Sequence, residues 1–131
     1  MFLNHLSDAG KENFIELAYK LAYSNREFPQ AQQKILSRYM EECGVRYIPS
    51  TTTREALIKY FGEQSPEVKK IIYLEIYMLL ISDEEIDADE TKVLSELKSV
   101  FGLSDDEAVE IQEQGMEFKE TYLKLRSVLG I

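Results

Sequence analysis

Between Asp83 and Glu90 the stretch DEEIDADE sets six carboxylates into eight positions with no base among them. Like charges packed this densely repel unless something positive offsets them. Two chemistries meet that need. Hard divalent cations take oxygen ligands, about six to eight for Ca²⁺ and an octahedron for Mg²⁺, and clustered carboxylates on a short loop are suitable donors. Alternatively the acids open a helix: Asp87 is an N-cap acceptor, Glu90 completes a capping box, and Asp89 favours the positive helix end. The remaining acids then face water. An EF-hand is excluded, because counting from Asp83 Ala88 stands where that loop needs Gly, and Leu94 where it needs Glu.

Other chemistry finds little footing. His5 is the only histidine and Cys43 the only cysteine, so neither a disulfide within the chain nor a Cys-rich zinc site can form. His5 lacks acidic or thiol partners nearby in sequence and reads as a partly exposed helix-edge residue. No Gly-rich phosphate loop and no Gly-x-Ser-x-Gly elbow is present. The expectation is a protein that is not an enzyme and has no catalytic residues.

The net charge of −9 argues against nucleic acid and disfavours docking on anionic lipid. It is unevenly spread, with eight Lys/Arg against seven Asp/Glu in residues 1–62, and seven against seventeen in 63–131. That asymmetry suits a cation or a basic partner near the second half. The most apolar stretch, IIYLEIYMLLI (71–81), is too short for a membrane span and contains Glu75. The start MFLNHLSDAGKENF lacks the basic and apolar runs of a signal peptide, so the expected setting is the cytoplasm.

Helical spacing positions the acids. A first helix is predicted from Ser7 or Asp8 to Tyr23, with Phe14, Leu17, Ala18, Leu21 and Ala22 on one face. A second runs from near Pro29 to Gly44, burying Ile35, Leu36, Tyr39, Met40 and Cys43, and a short third from about Thr51 to Phe61. Ser65 caps a fourth that is apolar nearly all round, the pattern of a buried central helix. Tyr19, Tyr73 and Tyr77 sit on or near buried faces. The fifth helix starts at the acids and ends before Gly102. The sixth, about 104–129, opens with a second capping box, SDDE, and carries a narrow heptad seam of Ala108, Ile111, Gly115, Phe118, Tyr122, Leu125 and Leu129.

A shift of 58 residues aligns 17–45 with 75–103 without gaps. Identities fall at Tyr19/Tyr77, Leu21/Leu79, Ser24/Ser82, Glu27/Glu85, Lys34/Lys92, Leu36/Leu94, Ser37/Ser95 and Gly44/Gly102. Cys43 falls opposite Phe101, which marks it as a small buried hydrophobe and not a nucleophile. The expected architecture is one all-α domain over 1–131, a bundle of six to seven helices with two related helix-loop-helix units. Each unit covers the apolar face that the other cannot bury alone.

LLISDEEIDADETKVL and KLAYSNREFPQAQQKIL, an apolar helix running into an acidic loop and then a second helix, together resemble the two motifs of the TerB-like (tellurite-resistance) family. The likeness covers roughly 17–103, and LSDAGKENFIELAYKLAYS is similar to that family's first helix. It implies pseudo-twofold halves, a stress or defence role, often in complexes, and weak binding of a divalent cation, Ca²⁺ or Mg²⁺, by the interhelical loops. Asp83, Glu85 and Glu90 match the motif acids, with Asp87 an auxiliary ligand. In the first half only Glu27 does, since Asn25, Arg26 and Gln32 stand where an aspartate, a glycine and a glutamate are usual. The chain reads as a divergent member with a degenerate first acidic motif.

Two functions follow: a TerB-like stress protein binding a cation through 83–90, or a helical protein-interaction module that has lost the metal. The last helix either closes over the domain's own core or lets its outer half, around Phe118, Tyr122 and Leu125, hold a protein partner or a second copy.

Overall fold

A computed structural model of the chain describes residues 1–23, 30–83 and 87–131, with the side chains of Tyr23 and Asp83 outside the description. Among these residues lie six α-helices and two 3-10 turns, and no strand. They are α1 (Asp8–Tyr23), α2 (Gln30–Cys43), α3 (Arg54–Gly62), α4 (Pro66–Leu80), α5 (Ala88–Phe101) and α6 (Asp105–Leu129). The turns are Leu3–His5 before α1 and Ile81–Asp83 after α4. None of the described helices is long and apolar enough to cross a membrane.

Side-chain caps set the helix starts. Thr53, Ser65, Asp87 and Ser104 each accept a hydrogen bond from the backbone N–H three residues on. Such a cap satisfies one of the orphan donors of the first turn. α3 therefore begins at Arg54, after Thr53, and not at Thr51 as the spacing predicted. Both expected capping boxes form, Asp87 with Glu90 and Ser104 with Glu107.

The 58-residue register extends to whole elements. Moved by that shift, the bounds of α2 coincide with those of α5, and α1 lands on α4 to within a residue. Gly44 and Gly102 both take φ +66°, the left-handed turn that glycine adopts without a Cβ penalty. The N–H groups of Val45 and Leu103 then close back on the carbonyls of Met40 and Lys98, the same helix stop twice. Leu21, Leu79, Leu36 and Leu94 are buried, as their alignment expects.

α4 lies at the centre, packed by all five other helices. Ile72, Tyr73, Ile76, Tyr77, Leu79 and Leu80 are buried along it, which accounts for a helix that is apolar nearly all round. Glu75 is the exception, only 4% exposed. Its Oε1 accepts from the Phe2 backbone N–H at 3.2 Å and from the Met1 α-amino group at 3.2 Å. The Glu42 carboxylate takes the Leu3 N–H at 3.1 Å and the same amine at 2.7 Å. These bonds strap residues 1–6 across α2 and α4 and put Leu3 and Leu6 into the core.

α6 lies against α4, and its partners advance along both helices together: Glu107 pairs with Lys70, Gln112 Nε2 donates to the Tyr73 hydroxyl at 2.7 Å, and Lys119 Nζ donates to the Ile81 carbonyl at 2.8 Å. The two helices therefore run in the same direction. At Gly115 a Cβ would sit 3.1 Å from both Leu74 Cδ1 and Met78 Sδ, so the missing side chain lets the helices close. Gly115→Leu is expected to lower stability by about 1–3 kcal/mol through overpacking, read as a fall in the urea midpoint. Gly115→Ala should stay within about 1 kcal/mol of the parent, its better helix propensity offsetting the tight contact. A Leu variant as stable as the parent would mean that α6 does not lie on α4 here.

Candidate functional site

The acidic segment is divided by its helix start. Asp87 is an exposed N-cap with extended backbone, and its Oδ1 accepts from the Glu90 N–H at 2.8 Å. Glu90 Oε1 accepts in return from the Asp87 N–H at 3.3 Å, and the Thr91 hydroxyl donates to the Asp87 carbonyl at 3.0 Å. Asp87 and Glu90 thus do the capping work that the residue pattern allowed for. Glu27 and Glu85 lie outside the described residues, and so does the Asp83 side chain. Among the described residues no three His, Cys, Asp or Glu are grouped so as to hold a metal ion.

Burial adds what periodicity did not foresee. Glu90, an acid on a helix start, is only 3% exposed. Gln32, its counterpart 58 residues earlier, is fully buried, and neither its Oε1 nor its Nε2 has a hydrogen-bond partner. The internal alignment sets Gln32 opposite Glu90, but its burial depends on neighbours that no local pattern reveals.

His5 is exposed in the first 3-10 turn. Cys43 is buried at the end of α2, and burial together with the nearby Glu42 pushes its thiol up to about 11. Tyr39 is raised well above its ordinary value, first by burial and then by the Glu75 and Glu42 carboxylates, while its hydroxyl donates to the Glu75 carbonyl at 2.7 Å. Tyr73 is buried with its hydroxyl accepting from Gln112, and the half-buried Tyr19 stacks on Tyr47 with ring centres 4.2 Å apart.

Among the described residues, exposed large apolar side chains concentrate on α6. Ala108 and Gly115 of its seam are buried and Ile111 packs against the core, but Phe118, Tyr122, Leu125 and Leu129 are exposed, the last two at 55% and 62%. From Glu120 onward every residue is exposed except Arg126, which is half-buried. Met116 and Leu123, further round the helix beyond Lys119, line a groove of about 320 Å³ with Tyr77, Ile81, Lys119 and Glu120. The Arg38 guanidinium from α2 lies 6.0 Å from the centre of the Tyr122 ring, a cation–π distance. The seam is thus core along its first half and surface along its second. No protein-family model, curated protein or solved structure matches the chain.

Two outcomes check this assignment. Asp87→Ala should cost about 1 kcal/mol in unfolding free energy with no cation added, because an N-cap acceptor is lost. An unchanged stability would mean that the box does not form. With its thiol near 11, Cys43 at pH 8 should react with a thiol reagent about a hundredfold more slowly in the native than in the unfolded chain. Equal rates would place it at the surface.

Proposed function

We propose that the protein is a non-catalytic helical interaction module that presents the outer half of α6 to a partner. The observation that carries this reading is the row Phe118, Tyr122, Leu125 and Leu129, exposed on a helix whose inner half belongs to the core. Scattered exposed apolar residues need no explanation, but a continuous row on one helix face marks an interaction site. The bundle holds this helix in place through the Lys119–Ile81 bond and the Arg38–Tyr122 contact, so little ordering is left for binding.

The double variant Leu125→Asp, Leu129→Asp tests it. Both side chains are more than half exposed, so the melting temperature should move by no more than about 2 °C, the size of a surface substitution's effect. A loss of many degrees would show that this end of α6 is part of the core, and the reading would fail.

A second reading has one observation in its favour. It is the TerB-like stress protein, with a divalent cation, Ca²⁺ or Mg²⁺, held by Asp83, Glu85 and Glu90 with Asp87 or Glu27 as further oxygens. The buried amide of Gln32, with neither polar atom bonded, sits at the position equivalent to Glu90. An unbonded buried amide costs about 1–3 kcal/mol, and an ion or its water shell would offset that cost. The described donors do not suffice alone, because Asp87 and Glu90 are engaged in capping each other's N–H groups. Calorimetric titration with Ca²⁺ and Mg²⁺ is expected to give heat that Asp83→Asn removes, and the ion should raise the melting temperature. Millimolar calcium that changes neither would end the reading.

A further inference from the structure

The exposed row on α6 is not neutral at its edges. In the heptad register Ile111, Phe118 and Leu125 alternate with Gly115, Tyr122 and Leu129, and the residues following Phe118 and Leu125 are Lys119 and Arg126. The other flank is Gln114, Thr121 and Val128, which carry no charge. Glu117 and Glu120 project away from the row at helical spacing. Across the gap Arg38 of α2 adds a third cation beside Tyr122. Among the described residues neither Arg38 nor Arg126 forms an ion pair. In a chain of net charge −9, with twenty-four carboxylates to choose from, Arg38 and Arg126 stand without an ion pair beside the exposed apolar row of α6, and Lys119 gives the row a third positive charge while donating to the Ile81 carbonyl.

We infer that the partner is an acidic amphipathic helix. Its apolar edge would lie along Phe118, Tyr122, Leu125 and Leu129, and its carboxylates would face Arg38, Lys119 and Arg126. This rests on the docking role proposed above for α6. A second copy fits worse: antiparallel pairing sets Lys119 against the other copy's Arg126, and parallel pairing sets both against uncharged flanks. An anionic bilayer fits worse as well. Residues 116–131 carry three Lys/Arg against two Asp/Glu, leaving −10 on the rest of the chain, which a flat anionic surface meets at the same time. A helix about 10 Å across stays within roughly one Debye length of the three cations and is screened from the rest.

The test displays on phage a helix of about 20 residues with Leu at its a and d positions and Glu or Lys at each e and g position, selected on the full chain. Three half-exposed charge pairs amount together to about tenfold, so Glu should be enriched over Lys by about that factor. Arg38→Glu with Arg126→Glu should reverse the preference, and Leu125→Asp with Leu129→Asp should remove capture. Equal recovery of Glu and Lys, still lost in the aspartate variant, would overturn the acidic partner and leave the docking role standing. Recovery no better on the parent than on the aspartate variant would overturn both. A dimer in sedimentation that Leu125→Asp dissolves would put a second copy on the row. Pelleting with vesicles of equal parts phosphatidylcholine and phosphatidylglycerol, lost in the same variant, would put a membrane there. Either result overturns the acidic helix.

Discussion

Every other described helix packs on α4, and that enclosure dictates much of the rest. From Ile71 to Leu80 this helix has no exposed residue, so its side chains there must be apolar or individually satisfied. Tyr73 meets the condition through Gln112, and Glu75 meets it through the chain start. The carboxylate of Glu75 is tolerable in the core only because N–H groups from residues 1 and 2 reach it. The same strap seals Leu3 and Leu6 over the bundle. One buried acid therefore links the position of residues 1–6 to the central packing. The Tyr39 hydroxyl, donating to the carbonyl of the same residue, extends that network into α2.

What could be read from the sequence was what depends on neighbours along the chain. Caps at Ser65, Asp87 and Ser104, the glycine stops at 44 and 102, and the buried face of α1 all rest on spacing of one to four residues, and all appear. The 58-residue shift did more, because it anticipated that α5 would repeat the bounds of α2. α3 starts at Arg54 behind the Thr53 cap and not near Thr51, since three consecutive threonines offer the same cap chemistry and only packing selects among them. The strap on Glu75 and Glu42 left no trace in spacing, for it joins residues some forty to seventy positions apart. Of the candidate site, Asp87 and Glu90 were legible as a capping pair, whereas Glu27, Glu85 and the Asp83 side chain fall outside the described residues. The burial of Gln32 could not be foreseen, because the neighbours that bury it are not its neighbours in sequence.

The seam of α6 shows the limit of periodicity most clearly. Its apolar residues recur at the same steps from Ala108 to Leu129, and periodicity reports that a face is apolar without saying what covers it. The cover is α4, and α4 ends at Leu80. Because the two helices run in the same direction, α6 outlasts its support at about Lys119, whose ammonium closes the end of α4 on the Ile81 carbonyl. Past that point the same pattern that built core becomes surface. The division comes from the lengths of two helices, which makes the outer half available for binding without weakening the bundle.

The two halves of the repeat differ most where they correspond most closely. Gln32 and Glu90 take equivalent places near the starts of α2 and α5, and both are withdrawn from water. Packing alone gives no reason for a polar side chain there, since a leucine of similar size would avoid the cost of about 1–3 kcal/mol that an unbonded amide incurs. Glu90 has a structural use in the capping box, and its Oε1 shows it. Gln32 has no such use: its residue type resembles that of its counterpart, but no hydrogen bond accompanies it. The cation proposal concerns the helix starts near Gln32, while the docking proposal concerns the far end of α6. The two rest on different residues, so either can fail without the other.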